Sequence, residues 1–316
     1  MDTITHGLIG SLGSKTGHYQ KFGKIATYSF LFGSVFPDID IIIAVLGPDF
    51  TMRHHRGITH SVLAVPLFSV LVTYITSLIF KNREYKKIYP MVLLGMYSHI
   101  FFDLITSYGT VAFDPVSLKR YNWNLVFILD PFITLPAVAG LVISYKKRHL
   151  AFKTSVIVFL FLCSYLLTCF FIKEHNKDRL IGYAKAHNMQ VEKLGIYPRP
   201  LAPFFWLGVI ETEDRFYRAN ISSLSSDKFV LQAYSKSDVN GFVDAIRDHR
   251  VAKLYFWFAD FPVAKYLKNG DEHIVEIHDL RFKMLSRRTP FTLRYVFDKA
   301  MNIKEITLGG RRVRDI

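Results

Sequence analysis

Cysteine is nearly absent, and the sequence holds neither a nucleophile turn nor a phosphate loop; each absence removes a class of function. Cys163 and Cys169 lie in one apolar run, which excludes a disulfide scaffold and leaves both as small hydrophobes. There is no Gly-x-Ser-x-Gly, so a serine-hydrolase elbow has no support. Without a Gly-x-x-x-x-Gly-Lys loop, the backbone cradle that grips nucleotide phosphates is missing too. Residues 1–10 lack a basic start and carry Asp2 and His6 instead, so no cleavable signal peptide is expected. Acidic residues are outnumbered 26 to 40, for a net charge of +14. Residues 1–172 hold 15 basic and 8 acidic side chains and the remainder 25 and 18, so the excess is shared evenly and nucleic acid is not an expected partner.

Half of the 316 residues are hydrophobic, and their distribution sets the fold class. Four apolar runs, 61–80, 88–107, 125–144 and 151–172, each approach the ~20 residues needed to cross a bilayer. Segments 4–14 and 25–44 precede them, the second interrupted by Pro37, Asp38 and Asp40. The expectation is a mainly α-helical membrane domain over 1–174, with four long spanning helices plus an amino-terminal helical hairpin, followed by a small α+β soluble domain over 175–316. In that second part 204–211, 215–221, 253–258, 273–277 and 291–297 read as strands. Residues 237–248 read as a helix, with Val239, Phe242, Val243 and Ile246 at helical spacing.

Basic residues in short loops orient the chain. Lys15, Lys21, Lys24, Lys81, Arg83, Lys86, Lys87, Lys146, Lys147, Arg148 and Lys153 occupy alternate connections, against Arg53, Arg56, Lys119 and Arg120 in the others. This places a multi-pass protein in the cell membrane, with its amino terminus and everything after residue 173 on the non-cytoplasmic side.

The polar residues of the membrane half gather at one end of its helices. Asp2 and His6 are four apart, as are His99 and Asp103, and each pair shares a helix face. Pro37-Asp38-Ile39-Asp40 closes one segment and His54-His55-Arg56-Gly57-Ile58-Thr59-His60-Ser61 opens the next. With alternating helices these clusters meet at one membrane face. His6, Asp38, Asp40, His60, His99 and Asp103 are then a ligand set for one or two ions of Zn²⁺, Mn²⁺ or Fe²⁺. Ionisable groups at membrane depth are costly and point to function. Arg56 is the candidate for a phosphate or a developing negative charge and His55 for general acid or base. Asp130 is the candidate for orienting a ligand imidazole. Thr5, Thr59 and Thr106 read as caps or hydrogen-bond donors beside the ligands. Asp279 and Arg281 read as a structural ion pair, and Arg311-Arg312-Val313-Arg314 as a solvated tail.

Together Asp2-Thr3-Ile4-Thr5-His6, Pro37-Asp38-Ile39-Asp40, His55-Arg56-Gly57-Ile58-Thr59-His60-Ser61, and Ser98-His99 through Asp103 to Thr110 resemble the membrane-bound metal-dependent hydrolases of the YdjM type. The likeness extends to the longer YfhP-like members through 205–212 and 279–282. The resemblance implies an integral membrane hydrolase that uses a metal, and it carries no substrate. The opening Asp-x-x-Thr-His is also distantly similar to zinc-dependent phospholipases C, which points to a phosphoester or ester bond of a lipid or membrane-proximal substrate. A noncatalytic metal-binding membrane protein, a sensor or transporter, is the other reading. Transport wants polar residues along a path through the bilayer, whereas 61–80 has no charge at all.

Overall fold

The computed structural model describes residues 1–225, 230–236, 240–283 and 290–314. Helices α1 (Thr3–Gly13), α2 (His18–Phe22) and α3 (Lys24–Val35) open the chain, and α3 continues into a 3-10 helix, Phe36–Val45. α4 (Pro48–His54), a 3-10 turn at Ile58–His60, α5 (Val65–Ile79), α6 (Tyr85–Leu104), α7 (Pro131–Lys146) and α8 (Ala151–Ala186) follow.

Among the described residues, two helices are long and apolar enough to cross a membrane, Lys24–Val45 and Arg148–Ala186. The other expected spans are modified. Residues 61–64 form a turn, so α5 passes the same test only when joined to Pro48–His60, with an 81° bend at the break. α7 is 16 residues, because 125–130 is irregular up to the Asp130 cap. α6 has 20 residues, but its apolar run is diluted by a basic first turn and by Pro90, His99 and Asp103. The expected break at Pro37 is instead the entry to a 3-10 turn, where the fixed φ of proline and its missing N–H do no harm. The helical path therefore runs on, and Asp38 and Asp40 turn inward, at 8% and 6% exposure.

By its contacts the chain divides into two units, Met1–Asp40 with Arg56–Lys173 and Pro198–Phe204, and Ile41–His55 with Glu174–Tyr197 and Phe205–Ile316. Two short segments, 41–55 and 198–204, belong to the unit opposite to that of their sequence neighbours.

Glycine sets the helix packing of the first unit. A Cβ on Gly33 of α3 would lie 2.3 Å from the Val92 carbonyl oxygen, and one on Gly95 of α6 would lie 2.6 Å from that of Phe30. Only hydrogen fits at this crossing, the device by which helices approach closely in lipid. α5 is inverted relative to a water-soluble helix. Its Ser69, Thr73, Thr76 and Ser77 are buried, while Leu67, Leu71, Tyr74 and Leu78 are exposed. Hydroxyls inward and aliphatics outward are favourable when hydrocarbon is the solvent.

The second unit is rich in sheet. β1 (Lys193–Pro198), β2 (Phe205–Glu211), β3 (Arg215–Ser222) and β4 (Leu231–Ser235) form a sheet in that order. Helices α9 (Asn240–Ile246) and α10 (Arg250–Phe258) intervene. β5 (Pro262–Asn269), β6 (Glu272–Asp279), β7 (Leu293–Phe297), β8 (Ile303–Leu308) and β9 (Arg311–Arg312) form a second sheet. Tyr197, Leu207, Val209, Phe216, Phe261, Val263 and Leu280 make one core. The expected strand at 253–258 is helical. Val251, Ala252, Tyr255 and Phe258 are buried, a 3.6-residue period that β-branched and aromatic content disguised. Of the helix expected over 237–248, residues 237–239 lie outside the described residues and α9 covers Asn240–Ile246. Arg281 spends its fork on Asp279 at 2.7 Å, Asp260 at 3.1 Å and the Phe258 carbonyl at 2.6 Å. These two carboxylates hold its guanidinium above its ordinary pKa, a structural tie as expected.

Gly95→Ala is expected to lower stability by about 1–3 kcal/mol, the usual cost of overpacking. Thermal melting of the detergent-purified protein measures it, and an unchanged midpoint would contradict the close approach of α3 and α6.

Candidate metal centre

Local rules deliver each polar side chain to one place. Asp2 caps α1, its Oδ1 accepting from the Thr5 N–H at 3.0 Å and its Oδ2 from the Thr5 hydroxyl at 2.6 Å. With the start of α1 fixed in this way, His6 is buried one turn further on. Thr5 also meets the Thr134 hydroxyl at 2.9 Å, tying the cap to α7. Asp40 Oδ2 accepts from the Arg56 N–H at 2.9 Å and from the Thr59 hydroxyl at 3.0 Å. These bonds shape the Arg56 to His60 turn and seat His60 at 0% exposure.

His99 is set by the glycine crossing. Gly95 lies one turn before it and Gly33 immediately precedes Ser34, so His99 Nδ1 reaches the Ser34 carbonyl at 2.7 Å. A carbonyl only accepts, so Nδ1 carries the hydrogen and Nε2 of the neutral ring is bare. His60 Nδ1 faces Asp40 Oδ2 at 3.3 Å, which turns its Nε2 toward His99, Asp38 and Asp103. The two Nε2 atoms are 3.0 Å apart. His60 Nε2 is 3.2 Å from Asp103 Oδ2 and 3.6 Å from Asp38 Oδ1, and His99 Nε2 is 3.4 Å and 3.5 Å from the same atoms.

Four lone-pair donors on Asp38, His60, His99 and Asp103 thus converge within 4.8 Å of one another. Lone pairs so placed repel unless a proton or a metal cation lies among them. A tetrahedral ion with bonds of about 2.0–2.1 Å needs ligand atoms roughly 3.3–3.4 Å apart, and the separations that involve the two imidazole nitrogens, 3.0–3.6 Å, bracket that spacing. Asp103 Oδ2 is moreover buried and accepts no hydrogen bond, as an atom reserved for a cation would be. Two imidazole nitrogens and two carboxylate oxygens suit a divalent transition ion.

The remaining predicted residues surround this set in different roles. His6 does not join the four. Its Nε2 is 3.1 Å from Asp103 Oδ1, and its ring stacks on His99 at 3.6 Å. Asp40 is not one of these four: its Oδ2 meets Arg56, Thr59 and His60, which orients a ligand imidazole, and its carboxylate also belongs with Asp38 to a second group of candidate ligands. Arg56 is 2% exposed. Its guanidinium lies 2.8 Å from Asp103 Oδ1 and donates to Thr106 at 3.0 Å, which makes it a brace for the ligand carboxylate in place of an arm in an open cleft. The Met1 amino group also contacts Asp103 Oδ1. His55 ends α4, half-buried. Asp130 caps α7 by accepting from the Phe132 N–H at 2.9 Å, and it accepts from the Tyr165 hydroxyl at 2.8 Å. It thereby takes its hydrogen bonds from α7 and α8 where an imidazole had been expected. Two groups were not foreseen, the Ser34 carbonyl and the Thr3 hydroxyl, which donates to Asp38 Oδ2 at 2.5 Å. The small-residue pair Gly33-Ser34 was the available signal for the first.

A family model described as YdjM inner membrane protein matches residues 1–176, the span that holds all four converging residues. A curated relative, the uncharacterized protein YfhP of Bacillus subtilis (strain 168), is 32% identical over 152 residues. That match covers 46% of this chain and 46% of the relative, so a little under half of the relative's length is spanned. No solved structure matches.

Asp40→Asn is expected to weaken divalent-metal affinity by about 10–100-fold while leaving the site able to fill, the usual effect of losing a partner behind a ligand histidine. Competition with a chromogenic chelator reads this. Unchanged affinity would mean that Asp40 orients nothing.

Proposed function

The chain belongs to the YdjM inner membrane protein family, and on that footing we propose that it is a membrane-bound, metal-dependent hydrolase. Its substrate in this reading is a phosphoester or ester bond of a lipid or another membrane-proximal molecule. The observation that carries the reading is the convergence of Asp38 Oδ1, His60 Nε2, His99 Nε2 and Asp103 Oδ2 at metal-ligand spacing. When bound, a divalent ion, Zn²⁺ or else Mn²⁺ or Fe²⁺, supplies Lewis acidity toward a substrate oxygen and lowers the pKa of water.

The protein's own groups take complementary parts. His60, His99 and Asp103 are fully enclosed, while Asp38 keeps 8% exposure, so substrate approaches from the Asp38 side. Arg56 holds Asp103 in place and screens its charge. Among His6, His55, His60 and His99, only His55 retains solvent contact beyond about one per cent. A group that exchanges protons with water needs such contact, so His55 is assigned general acid or base. The proposal includes four crossings by α5 to α8, with the chain after residue 173 on the non-cytoplasmic side. The bias of Lys and Arg toward alternate loops supports that topology.

One observation favours a noncatalytic reading. Two histidines and two aspartates already fill a four-coordinate shell, as they do in structural metal sites. A metal-loaded preparation assayed against phospholipids and chromogenic phosphodiesters separates the two. The hydrolase reading predicts turnover that His55→Ala reduces by about 100-fold or more, while the ion held by Asp38, His60, His99 and Asp103 stays bound. A fully loaded protein that melts lower on chelation yet turns over none of these substrates would favour the structural metal.

A further inference from the structure

The second unit carries a cleft that the metal centre does not use. The candidate span Lys24–Val45 ends two residues before α4. Its last turns expose Ile41, Ile42, Val45 and Leu46 at 58%, 64%, 75% and 52%. Four aliphatic side chains so exposed are at ease only in hydrocarbon. α4 begins at Gly47-Pro48, so its residues lie where hydrocarbon gives way to headgroups.

A 380 Å³ cleft lies between α4 and α10, lined by Asp49, Phe50, Arg53, His54, Arg250 and Trp257 among others. The volume falls within the range of small-ligand sites. Both guanidinium groups are held in advance. Arg250 Nη1 binds Asp49 Oδ2 at 2.8 Å, and Asp49 is 2% exposed. Arg53 lies over the Trp257 ring at 5.1 Å. Asp49 is neutralised by Arg250, which leaves Arg53 as the surplus charge with the His54 ring beside it. A planar guanidinium engages two phosphate oxygens at once, and a tryptophan at the interface level keeps one face apolar and one edge wet.

We propose that Arg53, His54 and Arg250 form a binding site for the phosphate group of an anionic lipid headgroup. The site rests on the membrane placement of the preceding reading and is independent of hydrolysis. It uses none of the four converging residues of the metal centre.

The test uses the full-length protein stripped of metal by chelator, so that loss of the hydrolase reading would not touch it. Microscale thermophoresis is run with dioctanoyl phosphatidylglycerol, dioctanoyl phosphatidylcholine and inorganic phosphate. The parent is expected to bind the phosphatidylglycerol about tenfold more tightly than the phosphatidylcholine, the worth of one charge-assisted contact. Arg53→Gln keeps the Asp49–Arg250 pair, and Asp49→Asn with Arg250→Gln removes that pair without stranding a buried charge. Both variants are expected to lose most of the preference. Equal affinity of the parent for the two lipids, or a preference that survives both variants, would overturn the site. Inorganic phosphate bound as tightly as phosphatidylglycerol would overturn the lipid as its source.

Discussion

The hydrogen bond from His99 Nδ1 to the Ser34 carbonyl, 2.7 Å long, is the contact on which the rest of the centre depends. It exists only because α3 and α6 touch through Gly33 and Gly95, where a methyl group would sit within 2.6 Å of backbone oxygen. The bond fixes the tautomer of His99 and turns its bare nitrogen toward His60, Asp38 and Asp103. A helix crossing thus becomes a statement about chemistry: the closeness of two backbones decides which nitrogen can bind a cation.

Lipid as a solvent explains the company this nitrogen keeps. Carboxylates at membrane depth are expensive unless their charge is met, and each one here is met. Arg56 and His6 face Asp103, Thr3 donates to Asp38, and the Arg56 N–H and Thr59 donate to Asp40. Beside these partners, one oxygen each of Asp38 and Asp103 faces the Nε2 atoms of His60 and His99. The polar interior and aliphatic exterior of α5 obey the same rule, as does the chain's freedom to leave Ile41, Ile42 and Val45 exposed.

Much of this arrangement was legible in the sequence, and the failures have physical reasons. Residue type and spacing marked His60, His99, Asp38 and Asp103, because titratable groups inside apolar runs carry a cost that demands a use. They could not say which carboxylate binds and which braces. Asp38 and Asp40 are two apart on one strand of sequence, and only the fold shows Asp40 turned to the Arg56 to His60 turn. By residue type Arg56 suits a phosphate or a developing negative charge; its enclosure by Asp103 and Thr106 is a tertiary fact. Hydropathy locates the apolar runs but not their ends, so nothing local marks 61–64 and 125–130 as lying outside the helices. α10 looks like a strand in sequence because Tyr255, Phe256, Trp257 and Phe258 favour sheets locally, while its buried period is helical. The exchange of 41–55 into the second unit leaves no local mark at all.

The central claim is that four side chains form one metal site, and elemental analysis tests it most directly. The detergent-purified protein is compared with His60→Ala and His99→Ala variants whose folding is matched by size-exclusion chromatography. The account predicts one equivalent of a divalent transition metal in the parent and loss of it in both folded variants. A parent that holds no metal after incubation with Zn²⁺ or Mn²⁺, or a variant that retains the full equivalent, would contradict it.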